Sequence, residues 1–71
     1  MTTRHLKIFL NVYITGSMTA AAQKLYMTQP SVSQAIRELE EHYGVPLFER
    51  LYRKLYPTQA GKQLFLYAEK I

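Results

Sequence analysis

The chain has 71 residues, no cysteine and a formal net charge of +4, enough for one small domain with a thin core. A disulfide framework and a thiolate metal site are excluded, and no apolar run approaches the roughly 20 residues of a membrane span. The opening "MTTRHLK" lacks the long apolar stretch of a signal peptide, and a reducing, cytoplasmic setting is expected.

The apolar spacing predicts four helices. The first runs from about Arg4 to Ile14, with Leu6, Phe9, Leu10 and Tyr13 on one face and Gly16-Ser17 as its stop. The second is expected after Thr19 as N-cap, through "AAAQKL", where three alanines permit close approach of another helix. The third opens at Pro30. Proline lacks an N–H and fixes φ near the helical value, and it disfavours the helical region for Gln29, the expected lead-in. Val32, Ile36, Leu39 and Tyr43 then form a core stripe, and Gly44 is the stop with Pro46 beyond it. Residues 47–57, "LFERLYRKLYP", lose the helical period and read as two short strands around a turn. Thr58 is expected to cap a fourth helix, in which Leu64, Ala68 and Ile71 repeat at helical spacing. No Gly, Asn or Pro closes that helix after Lys70-Ile71, so the chain is expected to be a piece of a longer protein.

Charge is unevenly distributed. Residues 1–37 carry Arg4, Lys7, Lys24 and Arg37 without an acid, and residues 38–49 carry Glu38, Glu40, Glu41 and Glu49 without a base. Residues 50–71 carry Arg50, Arg53, Lys54, Lys62 and Lys70 against Glu69. Two basic blocks around an acidic one fit an anionic partner touched at two places, though a merely soluble basic domain has the same totals. On the third helix, Pro30, Ser33, Gln34, Arg37 and Glu41 fall opposite the core stripe. The front of that face is uncharged or basic and its rear is acidic. Laid lengthwise on DNA, the helix would press Glu38 and Glu41 against phosphates; entering by its tip, it would offer its positive dipole end instead. Gln34 can pair bidentately with adenine, Ser33 can serve several bases, and Arg37 suits guanine or phosphate. A solvated polar face is the plainer alternative for such residues.

Other chemistry finds little support. His5 and His42 are far apart without neighbouring ligands, so a metal pair is not expected. "SVSQ" offers a serine nucleophile no base, and the three glycines form no phosphate loop. Glu38, Glu40 and Glu41 read as a solvated face, so no enzyme activity or bound cofactor is expected here. Lys54 among Leu51, Tyr52, Leu55 and Tyr56 could join a surface for single strands, against packing of those side chains in the strands.

The stretch "SMTAAAQKLYMTQPSVSQAIRELEEHYGVPLFERLYRKLYPTQAG" resembles the N-terminal domain of the LysR-type transcriptional regulators. The resemblance is carried in order by Ser17, Thr19, Ala21-Ala22 and Leu25, then Gln29-Pro30-Ser31, Ser33, Ile36, Leu39-Glu40 and Gly44. Leu47-Phe48, Arg50, Thr58 and Ala60-Gly61 complete it. It implies a mainly α winged helix-turn-helix: a three-helix core, helix-turn-helix near 18–37, a two-stranded wing near 47–57, and a linker helix from 58 that pairs two subunits. It implies double-stranded DNA as partner, read as an inverted repeat by a homodimer. Gln29, Pro30, Ser33 and Gln34 would meet the major groove, with Arg37 beside them, while Arg53 on the wing reaches the neighbouring minor groove or its phosphates. Thr19, Thr28, Ser31, Arg50 and Lys54 are expected on the backbone, and Leu64, Phe65, Tyr67, Ala68 and Ile71 on the dimer helix. A small-molecule inducer would bind a separate C-terminal domain. A protein-interaction module on the same fold is the rival reading. Two positions depart from the family pattern: Tyr52 stands where glycine is frequent, altering the turn that aims Arg53, and Pro57 replaces leucine and removes a strand donor.

Overall fold

In every helix of the computed structural model, which describes residues 2–70, a serine or threonine hydroxyl sets the first turn. Thr2 accepts from the His5 N–H and opens α1 (Thr3–Thr15); Ser17 accepts from the Ala20 N–H and opens α2 (Met18–Leu25). Thr28 caps the Ser31 N–H at α3 (Gln29–Tyr43), and Thr58 caps the Gly61 N–H at α4 (Gln59–Ala68). Gly16 and Gly44 end α1 and α3 with φ of 69° and 73°, a region that costs a side chain energy but not glycine. Between α3 and α4 lie β1 (Phe48–Leu51) and β2 (Lys54–Pro57), paired antiparallel from Phe48 opposite Pro57 to Leu51 opposite Lys54.

Two expected helix starts move. The cap of α2 is Ser17, and Thr19 lies inside the helix. The reason is local: the Thr15 hydroxyl donates to the Ser17 carbonyl oxygen at 3.0 Å, so the chain has turned before Thr19 is reached. α3 includes Gln29, because the Val32 N–H bonds the Thr28 carbonyl and the Thr28 hydroxyl takes Ser31. That first closed turn outweighs proline's bias on the residue before it.

The core joins α1, α2 and α3 and is closed by α4 and the base of the wing. Ile8, Phe9, Val12, Ala21, Ala22, Val32, Ala35, Ile36, Leu39, Leu47 and Leu64 form one buried cluster. On α1 the buried face is Ile8, Phe9 and Val12; of the expected stripe only Phe9 is fully buried, and Leu6, Leu10 and Tyr13 flank it. Ala21 and Ala22 fill the seat of α2, as the alanine run predicts. Tyr43 leaves the expected core stripe, being 39% exposed as the last residue of α3, where it lines an open concavity facing α4. Its ring meets the His42 ring edge-on at 5.0 Å.

α4 is held inside the subunit. Leu64 and Ala68 are buried, and the Phe65 ring stacks on Tyr13 with centroids 4.0 Å apart and planes 9° apart. Such an aromatic pair contributes about 0.5–1.5 kcal/mol beyond its buried area. Leu64 and Ala68 therefore face this chain's own core; the open apolar positions of α4 are Leu66 and Tyr67, each 60% exposed. The expected contact of Ile71 lies outside the described residues. On the wing, Phe48 packs on Phe9 at 5.4 Å and Leu55 is half-buried, but Leu51, Tyr52 and Tyr56 are exposed, so strand packing accounts for only part of that apolar set.

Candidate nucleic-acid interface

The tip of α3 is open to solvent: Thr28, Gln29, Pro30 and Ser31 are all exposed, and Val32, Ala35, Ile36 and Leu39 anchor the opposite face. Pro30 carries no N–H and Thr28 Oγ1 takes that of Ser31, so this tip offers fewer bare donors than an uncapped helix start. Its side chains are the larger resource. The Thr28 hydroxyl donates to Ser31 Oγ at 2.8 Å, and the Gln29 amide donates to Ser33 Oγ. Ser33 itself is not on the open face: it is half-buried, and its hydroxyl donates to Met18 Sδ at 3.1 Å, seating α3 on α2.

Gln34 is exposed and held at both ends of its carboxamide. Arg37 Nη2 donates to Gln34 Oε1 at 2.8 Å, and Gln34 Nε2 donates to Glu38 Oε2 at 3.3 Å. Glu38 Oε1 in turn lies 2.7 Å from His5 Nε2, and His5 Nδ1 lies 2.9 Å from Thr2 Oγ1. A chain of polar side chains thus runs from the start of α1 to the exposed face of α3. Hydrogen bonds from His5, and then from Gln34, hold the Glu38 carboxyl below the ordinary glutamate value. By valence the Gln34 carboxamide keeps one N–H and one lone pair, the set that bidentate pairing with adenine uses. The sequence reading missed the His5–Glu38 pair, since its partners are 33 residues apart and no local spacing announces them.

Glu40 also departs from the expected solvated face. It is half-buried, and its Oε2 accepts from the Leu47 N–H at 2.7 Å and the Phe48 N–H at 3.4 Å. A carboxylate of α3 thereby fixes the root of the wing. Glu41 remains exposed.

The wing and the helix-turn-helix meet around a small cleft of about 90 Å³ lined by Gly16, Ser17, Met18, Thr19, Gln29, Arg50, Arg53 and Leu55. Four expected contact residues, Thr19, Gln29, Arg50 and Arg53, come from three separate elements to this one place. Arg50 and Arg53 thus sit beside the first turn of α2, where the Ser17 hydroxyl takes the Ala20 N–H at 3.1 Å. Lys54 is exposed on β2 outside the cleft. The acidic end of α3 lies well away: at 1.5 Å per residue, Glu41 is about 18 Å along the axis from Gln29.

A second concavity, of about 530 Å³, is lined by Tyr43, Val45, Leu47, Ala60, Gln63, Leu64 and Tyr67 between the end of α3 and α4. Among the described residues no helix is long and apolar enough to cross a membrane.

Comparison with known proteins gives concordant results. The family model for bacterial regulatory helix-turn-helix proteins of the lysR family matches residues 3–62. A probable RuBisCO transcriptional regulator of Cyanidioschyzon merolae is 46% identical over 66 residues, 93% of this chain and 22% of that protein. The transcriptional activator protein LysR of Escherichia coli K12 is 44% identical over 62 residues, 87% of this chain and 20% of that protein. Among solved structures, the complex of the CbnR DNA-binding domain with DNA matches at a TM-score of 0.93 and 37% identity, covering 99% of this chain and 80% of that one. The BenM DNA-binding domain with catB site 1 DNA matches at 0.94 and 41%, covering 99% and 79%. The chain spans about a fifth of the length of these curated relatives.

Proposed function

Because the chain belongs to the LysR family of bacterial helix-turn-helix regulators, we propose that it binds double-stranded DNA at chosen sequences to regulate transcription. α3 enters the major groove tip-first, with Gln29, Pro30 and Gln34 at the base edges and Arg37 beside them, while Ser33 stands behind Gln29 with its hydroxyl on Met18. The cleft shared by Thr19, Gln29, Arg50 and Arg53 receives a backbone phosphate, Thr28 and Ser31 contact the same strand, and Lys54 adds a wing contact. The convergence of α2, α3 and the wing on that one cationic cleft carries the reading. The distribution of carboxylates supports it, since a tip-first approach keeps Glu41 away from the phosphates.

Two copies read an inverted repeat, because a two-fold protein matches a two-fold site. They pair through the C-terminal helix, whose open apolar residues are Leu66 and Tyr67. A small-molecule inducer would bind a separate C-terminal domain.

Binding-site selection from random duplexes, followed by a mobility-shift titration against a scrambled competitor, tests the assignment. One enriched inverted repeat is expected. Gln34→Ala should relax preference at one position per half-site, at about 1–3 kcal/mol of lost discrimination. Sequence-blind binding, or a Gln34→Ala variant with affinity and preference intact, would overturn the docking and favour a protein-interaction module.

A further inference from the structure

We infer that Tyr52, at the tip of the wing, is a DNA-contacting residue whose ring packs against the minor-groove wall of the duplex beside the phosphate bound by Arg53. The inference rests on the DNA-binding reading above and extends it to a residue that the cationic cleft does not include.

Two independent observations meet at this side chain. The first is the backbone. Leu51 pairs with Lys54, so the hairpin turns on two residues, and both take positive φ: 51° at Tyr52 and 65° at Arg53. Two-residue hairpins with φ positive at both centres are the province of Asn and Gly, because a β-carbon crowds the following carbonyl there. A bulky aromatic in this conformation is uncommon and costs folding energy. The second is exposure. Tyr52 is 93% exposed, so its ring returns nothing to the folded chain. Strain without an internal contact to offset it indicates that the ring's partner lies outside the protein.

Position supplies the partner. Tyr52 directly precedes Arg53, which lines the cleft with Arg50 and Thr19. A phosphate in that cleft puts the turn at the edge of the duplex, ahead of the guanidinium groups. A flat, half-apolar ring at such a tip suits deoxyribose faces and the walls of the minor groove, where inserted apolar side chains are a recurrent mode of contact.

The test sets stability against affinity, with opposite signs expected. Tyr52→Gly and Tyr52→Asn both suit the turn and delete the ring; Tyr52→Phe keeps the ring without its hydroxyl. Thermal melts of the chain should show Tyr52→Gly raised by about 2–6 °C as strain is relieved. Fluorescence anisotropy on the selected duplex should show Tyr52→Gly and Tyr52→Asn weakened about tenfold, of the size an aromatic contact to nucleic acid contributes. Tyr52→Phe should stay within about twofold of the parent. The dependence of log K on log salt should keep its slope in all three, since no charge is removed. Unchanged or tighter binding by both ring-less variants overturns the inference. A slope reduced by about 0.9 also overturns it, because the turn would then act by aiming Arg53. Equal losses in all three variants point to the hydroxyl and overturn the ring contact. Parental binding that ignores sequence sinks the DNA-reading model itself, and this contact with it.

Discussion

Gly61→Ala should destabilise the domain, although glycine-to-alanine changes inside helices usually do the reverse. Gly61 lies in α4 and is buried, and a β-carbon there would sit 2.2 Å from the Leu47 carbonyl oxygen and 3.2 Å from its carbon. Ordinary contact begins near 3.4 Å, so one partner must retreat by roughly 1 Å. Leu47 has little freedom to do so. Its carbonyl accepts from the Thr58 N–H at 3.0 Å, its own N–H donates to Glu40 at 2.7 Å, and the preceding Pro46 carbonyl accepts from the Thr58 hydroxyl at 2.7 Å. Overpacking of this kind costs about 1–3 kcal/mol, and a broken backbone hydrogen bond adds about 1 kcal/mol. Alanine's better helix propensity returns about 1 kcal/mol. The expected net loss is about 1–3 kcal/mol, or a fall in Tm of about 5–20 °C for a domain of this size. Urea and thermal unfolding followed by far-ultraviolet circular dichroism measure it. A variant as stable as the parent, or more so, refutes the close packing of α4 on the wing root.

Other expectations follow from the same contacts. Glu40→Ala leaves the Leu47 and Phe48 N–H groups without their acceptor and should cost about 1–3 kcal/mol in urea unfolding; Glu40→Gln should recover part of it. The Glu38 carboxyl is held low in the folded chain, so its stabilising effect is complete above the ordinary value of 4.5 and is lost as pH falls through the lower folded-state value. Melts from neutral pH down to about pH 3 should therefore show a shallower acid limb in Glu38→Gln than in the parent. Arg53→Ala should weaken selected and scrambled duplexes alike and reduce the salt slope by about 0.9, read from titrations at several salt concentrations.

Much of the architecture could be read from residue order, because local rules and tertiary packing agree. Glycine stops, proline at a helix entrance and the 47–57 break in periodicity all correspond to observed boundaries. What escaped the reading depends on partners remote in the chain. Ser17 and Thr19 are both cap residues by type, serine the better of the two, and the Thr15 hydroxyl two residues upstream helps turn the chain at Ser17. Glu40 looks like its neighbours Glu38 and Glu41 until the chain returns at Leu47 to place N–H groups against it. Tyr43 continues the stripe by spacing, yet it is the last residue of α3 and lines an open concavity facing α4. The candidate site divides the same way. The exposure of Pro30 and Gln34 is legible from position on one helix, whereas the His5–Glu38 link and the half-burial of Ser33 require two helices to be brought together.

Thr58 ties the wing to the final helix through three hydrogen bonds. Its hydroxyl donates to the Pro46 carbonyl and accepts from Gly61, while its N–H meets the Leu47 carbonyl. Strand end, helix start and the loop entering β1 thus meet at one residue. Glu40 ties the same block to α3 through the Leu47 and Phe48 N–H groups, so the hairpin that carries Arg53 is braced from two helices at its root.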